Sequence, residues 1–136
     1  VIPSRQKVNF AFGKVDYQLH PSTLVTGRYF FFKNLSLANV GAGLTTTDRA
    51  TDFNDKMDSA ALQAVTTIGT SRLNEFRFQY AQRSQFRSIG LGVAGPAITV
   101  SGVAQFGGPR LGDGNSVGFD FKQDIWQVVD NFTWVK

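Results

Sequence analysis

The chain of 136 residues contains no cysteine and only one histidine and one methionine. Without cysteine there is no disulfide framework and no thiolate metal site. With His20 as the sole histidine, multi-histidine zinc centres and most histidine-based acid–base catalysis are excluded as well. No apolar run approaches the ~18 residues that a transmembrane helix requires. No block of like charge occurs either: 14 basic and 10 acidic residues leave a net charge of +4, dispersed along the chain, which argues against a nucleic-acid-binding tail. Helical periodicity is nearly absent. Its one candidate, Asp58 to Val65 with Ser59 placed to cap it, runs directly into Thr66-Thr67-Ile68-Gly69, whose β-branched residues favour a strand. A membrane protein lacking apolar helices has to be a closed barrel, the other structure that satisfies its backbone in lipid.

What is present is phenylalanine, 13 of them, within a hydrophobic fraction of 42%. That suits strands with one greasy and one wet face better than a dense two-sided core. Five segments read as strands. They are about 8–19, 24–33, 60–68, 73–86 and 122–134. The clearest is the fourth, where Phe76, Phe78 and Tyr80 share one face and Glu75, Arg77 and Gln79 the other. In the first, Val8, Phe10 and Phe12 are out of phase with Val15, Tyr17 and Leu19, so a bulge or kink is predicted at Gly13.

The connections alternate in length. His20-Pro21-Ser22-Thr23 and Gly69-Thr70-Ser71-Arg72 are tight turns, whereas 34–58 and 87–121 are long and rich in Gly, Thr, Asn and Asp. Tight turns on one side and extended loops on the other are the pattern of a transmembrane barrel. Strands of ~10–14 residues also fit a tilted membrane crossing, which soluble strands of ~5–6 do not. The fold class is therefore all-β: an antiparallel up-and-down meander, about five strands of a larger transmembrane β-barrel, occupying 1–136 as a partial barrel domain. The chain opens at Val1 without an initiator methionine or signal peptide and stops in mid-pattern at Trp134-Val135-Lys136. A segment of a longer protein is expected.

Alternation divides the functional candidates into two sets. Asp16, Gln18, Thr26, Arg28, Glu75, Arg77, Gln79, Gln127, Asn131 and Thr133 are predicted to face a wet lumen. Tyr17, Phe76, Phe78, Tyr80, Trp126 and Trp134 are predicted to face lipid, with Tyr17, Tyr80, Trp126 and Trp134 near strand ends, where interfacial girdles belong. The segment from Gly90 to Gly95 matches G-x-G-x-x-G, but Pro96 and the strand-like Ala97-Ile98-Thr99-Val100 follow, so no helix opens for a pyrophosphate, and Asp113 falls in the turn Gly112 to Asn115. These are loop glycines. Glu75 and Arg77 lie two apart on a strand and read as a lumen-lining pair rather than a catalytic one. The aromatics and arginines of the fourth strand sit on opposite faces, so a nucleic-acid base could not meet both. Nothing assembles a nucleophile with a base. No enzyme, no cofactor and no bound metal are expected.

Several stretches resemble one family. Asn9 to Leu19, with Gly13-Lys14-Val15-Asp16-Tyr17 before a short turn, is similar to a barrel strand of the Oar-like TonB-dependent receptors. Ser71 to Tyr80 resembles their turn followed by an Asn-Glu-Phe-Arg strand. Gly95-Pro96-Ala97-Ile98 through Gln105-Phe106-Gly107 resembles the following loop, and Asp130 to Lys136 the strand that leads into a Gly-x-His hairpin, which this chain lacks. The resemblance covers nearly the whole chain, in order. It implies the bacterial outer membrane and energised uptake of an unknown substrate, with the barrel as wall. The implied partners are outer-membrane lipid, the rest of the barrel, a separate plug domain and, through that plug, TonB. Barrels of this class have about 22 strands, so five form a minority of the wall. The rival expectation is a soluble β-sandwich or small-barrel binding module whose phenylalanines form an internal core.

Overall fold

The fold is that of a computed structural model, which describes residues 4–40, 44–90, 95–108 and 120–135. Five long strands account for most of it: β1 (Arg5–His20), β2 (Thr23–Asn39), β3 (Thr51–Ile68), β4 (Arg72–Ile89) and, after the second long connection, β7 (Asp120–Trp134). They form one antiparallel meander in the order β1-β2-β3-β4-β7. A small hairpin, β5 (Ala97–Val100) with β6 (Ala104–Gly107), and a single 3-10 turn at Thr47–Arg49 lie within the long connections. The stretch from Asp58 to Val65 is strand, as its β-branched continuation predicts.

The strands run 15 to 18 residues, longer than the sequence pattern indicates. The stretches 34–39 and 51–58, which read as loop from their content of Asn, Ser, Thr and Asp, continue β2 and begin β3. Cross-strand bonds hold them: the Gln6 amide donates to Asn34 at 3.1 Å, and the Ala38 N–H donates to Asp52 at 2.8 Å. At this same end of the strands, β4 continues to Ile89 and the Gly90 N–H bonds the Ala50 carbonyl at 3.0 Å. β1 is a single strand from Arg5 to His20, with Gly13 inside it.

The strands contribute to two compact units. One comprises 10–31, 57–83 and 123–136 and holds both tight turns; the other comprises 1–9, 32–56 and 84–122 and holds both long connections. In the tight turns, Pro21 and Ser22 reverse the chain between β1 and β2, and Gly69 does so before Arg72 with a φ of +64°, where a side chain would be strained. In the other unit, β5 and β6 pair from Ala97↔Gly107 to Val100↔Ala104, so the glycine-rich connection contains regular structure. Gly92, Asp113 and the Gly112 to Asn115 turn lie outside the described residues.

Among the described residues, the buried hydrophobics are three alanines, Ala38, Ala50 and Ala81. Among these residues no large apolar side chain is buried, while Tyr17, Trp126 and Trp134 are 63%, 67% and 63% exposed. A soluble sandwich would bury such rings between two sheets, so the soluble-module expectation is not met.

Candidate functional site

In the unit that holds the tight turns, the two faces of the sheet are chemically distinct because odd and even residues alternate sides. One face is a web of polar side chains. The Thr26 hydroxyl donates to Asp16 at 2.6 Å, and Lys14 pairs with the same carboxylate at 2.7 Å. Gln63 on β3 donates to Glu75 on β4 at 2.5 Å, Arg77 donates to it through Nε at 2.8 Å, and the Asn131 side chain of β7 also bonds it. Gln79 reaches Ser59 at 3.4 Å. Three adjacent strands are thus stitched around one carboxylate, which satisfies the guanidinium of Arg77 beside it.

These residues border a hollow of about 460 Å³ lined by Thr26, Arg28, Gln63, Arg77, Gln79 and Gln127, with Ala61 and Val129. Leu62 and Phe78 border it where the chain passes between Ala61 and Gln63 and between Arg77 and Gln79. Five of the residues assigned to the lumen from alternation therefore meet at one place. Asp16 joins them through Thr26, and Glu75 and Asn131 through Arg77. Gln18 does not: its amide bonds the carbonyls of His20 and Thr23, at 2.6 and 3.1 Å, and serves the turn. Thr133 is exposed near the end of β7. His20 is an exposed turn residue whose Nδ1 lies 2.9 Å from the Ser22 hydroxyl.

The opposite face carries the aromatics. Trp126 of β7 packs on Tyr80 and Phe78 of β4, with ring centres 4.4 and 5.8 Å apart, which are favourable aromatic separations. Below them toward the tight turns, the Arg72 guanidinium lies 5.5 Å from the centre of the Trp134 ring. Above them, the Tyr80 hydroxyl donates to Asp124 at 2.8 Å, joined by Gln82 at 3.1 Å, and the Tyr29 hydroxyl donates to Asp58 at 2.7 Å. Each tyrosine presents an apolar ring to one side and a bonded hydroxyl to the other, as an interfacial residue does. From Arg72 to Gln82 a strand rises about 33 Å, and at a tilt near 40° this spans about 25 Å, the height of the apolar band of an outer-membrane barrel. Phe76 and Tyr17 are exposed and on strand positions in phase with this band.

The chain matches, over residues 2–136, the family described as an outer membrane beta barrel domain. It belongs to that family. Its location is accordingly the bacterial outer membrane, and its sheet is a segment of barrel wall. No curated protein and no solved structure matches it.

The other unit of this barrel domain organises the long connections. The Thr46 N–H donates to the Gln105 carbonyl at 2.9 Å, and the Gln105 N–H to the Leu44 carbonyl at 2.7 Å. Arg49 reaches Gln105 at 3.3 Å, and Asp48 accepts the Gly107 N–H at 2.6 Å and the Thr46 hydroxyl. The Thr46 hydroxyl first, and then the Gly107 N–H, hold the Asp48 carboxyl below the usual carboxylate range, since both bond its charged form. The two loops are thus clasped to each other at the hairpin. Residues that alternation could not single out are those acting through register: Gln63, Asp58, Asp124 and Arg72 each matter because of the partner that pairing places opposite. Only Arg72, in the turn before an aromatic-rich strand, carried a local hint of its position.

Proposed function

We propose that the chain forms part of the wall of a TonB-dependent outer-membrane receptor that takes up a substrate at the expense of cellular energy. The face with Tyr17, Phe76, Phe78, Tyr80, Trp126 and Trp134 meets lipid. The face with Asp16, Thr26, Arg28, Glu75, Arg77, Gln79, Gln127 and Asn131 lines the lumen and meets a plug domain or the passing substrate; Gln18 and Thr133 lie on it toward the turns. The observation that carries the lumen reading is the satisfied polar web around Glu75 and the hollow at Arg28 and Arg77, back to back with an unburied aromatic band. The energised-uptake reading is supported by the ordered resemblance from Asn9 to Lys136 to the Oar-like receptors. On this reading the wall performs no chemistry: its lumen residues bind and guide, and TonB acts on it through the plug.

The test is made on the barrel protein that contains this chain. Purified and reconstituted, it should bind the periplasmic domain of TonB, and growth on its substrate should fail when TonB is deleted or the proton gradient is collapsed. Uptake that persists without TonB would make it a passive pore, and the reading would be wrong.

A further inference from the structure

The hollow on the polar face draws on β2, β3, β4 and β7, and the bonds around it leave one cation over. Lys14 pairs with Asp16 at 2.7 Å. Arg77 gives its Nε and one terminal nitrogen to Glu75, at 2.8 and 2.5 Å, and Gln63 and Asn131 bond the same carboxylate. Arg28 is different. Among the described residues it forms no hydrogen bond or ion pair, and it acts on Asp16 only through its charge. Lys14 thus cancels Asp16 and Arg77 cancels Glu75, so the hollow keeps the charge of Arg28.

Uncommitted donors stand beside that charge. The Gln79 amide makes one long bond, to Ser59 at 3.4 Å. The Gln127 side chain makes none among the described residues, and Arg77 has its second terminal nitrogen to spare. A guanidinium fork meets a planar carboxylate with two parallel N–H bonds, and one uncancelled positive charge balances one carboxylate. A phosphate dianion would need two. The volume of about 460 Å³ lies in the range of roughly 300–1,000 Å³ that small-ligand sites occupy. Arg28 on β2 and Gln127 on β7 are three strands apart, roughly 14 Å at ~4.8 Å per strand, yet both line the same hollow. A ligand that meets both is longer than a bare carboxylate and carries an amide or hydroxyl of its own for the glutamines.

We propose that the hollow is a subsite for a small organic monoanion, whose carboxylate lies on the Arg28 guanidinium and whose amide or hydroxyl groups bond Gln79 and Gln127. Such a subsite rests on the reading that this face meets the aqueous lumen. It requires nothing of TonB, so it stands or falls separately from energised uptake.

The experiment uses the full barrel protein containing this chain, in deuterated detergent. The probe is N-acetylglycine, and the control is its neutral counterpart N-acetylglycinamide. Saturation transferred from the protein to the acetyl methyl group is followed through a titration. The acid should bind saturably and at least tenfold more tightly than the amide. Arg28→Gln should remove that preference, since a hydrogen bond between charged groups is worth roughly ten- to a hundredfold. Arg28→Lys keeps the charge without the fork and should fall between the two. Gln127→Ala should weaken the acid by roughly two- to tenfold and leave it preferred to the amide. Equal binding of acid and amide, no saturable binding, or Arg28→Gln behaving as the unaltered protein overturns the subsite. So does displacement of the probe by inorganic phosphate at a lower concentration than by acetate, which would make it a phosphate site. Should Arg28→Gln not fold, the acid and amide on the unaltered protein decide by the same criterion.

Discussion

Replacing Phe78 with arginine probes the aromatic face at its centre. Phe78 sits four residues from Asn74 and four from Gln82 on β4, midway along the apolar band, and its ring lies 5.8 Å from that of Trp126. If this face meets lipid, an arginine at mid-bilayer costs about 2–4 kcal/mol. Loss of the aromatic pair adds about 0.5–1.5 kcal/mol. The sum, about 3–5 kcal/mol, corresponds to a change of two to more than three orders of magnitude in the folding equilibrium. The matched control is Gln79→Arg, one residue along and on the polar face, where the side chain enters the hollow beside Gln127 and gives up one long bond to Ser59. It should cost no more than about 1 kcal/mol. Urea unfolding from phosphatidylcholine vesicles, followed by tryptophan fluorescence and heat-dependent gel mobility of the full barrel protein, measures both. Equal midpoints for Phe78→Arg and the unaltered protein, or an equal loss from Gln79→Arg, would refute the assignment of faces.

Other consequences are more local. Tyr80→Phe removes the hydroxyl that donates to Asp124 while keeping the ring on Trp126. It should cost about 0.5–1.5 kcal/mol in the same unfolding assay, and a larger loss would contradict the exposure of Asp124 and its second bond from Gln82. Gly107→Ala should detach the loop hairpin, because φ is +85° and a Cβ there runs into the Pro96 carbonyl oxygen. Limited proteolysis should then cut near 97–107 while the barrel stays folded. The clasp at Asp48 should be sensitive to acid only. Its folded carboxyl is shifted downward, so its contribution is complete above the unfolded carboxyl's range and is lost as pH falls through the depressed folded value. The Gly107 amide resonance should shift over that acidic window and be unchanged from neutral pH to mild acid, and Asp48→Asn should abolish the transition.

How much of this was legible in the sequence depends on whether a residue reports on itself or on a partner. Phe76, Arg77, Phe78, Gln79 and Tyr80 announce their own faces, since a strand's side chains alternate whatever it pairs with. The meander order and the two tight turns were legible for the same local reason. The extensions at 34–39 and 51–58 were not, because Asn34, Asn39, Asp52, Asn54, Asp55 and Asp58 give them the composition of a loop, which outweighs the short apolar pairs Leu35 with Leu37 and Phe53 with Met57. The hairpin β5–β6 was visible only as the strand-like Ala97 to Val100, with its partner hidden among glycines. The polar web at Glu75 needs Gln63 and Asn131 from two other strands, and the tyrosine–carboxylate pairs need the register between β2 and β3 and between β4 and β7. Register is set by long-range pairing, and no single segment contains it.

The central prediction is that one face of the sheet meets lipid and the other meets water. The chain's lack of cysteine permits single cysteines to be placed along β4 from residue 74 to 82, spin-labelled in the reconstituted barrel protein, and compared for accessibility to oxygen, which concentrates in lipid, and to an aqueous nickel chelate. Even positions should favour oxygen and odd positions the chelate, alternating at every residue and peaking at 78. A profile without alternation, or labels at 76, 78 and 80 shielded from both reagents as in a protein core, would contradict it.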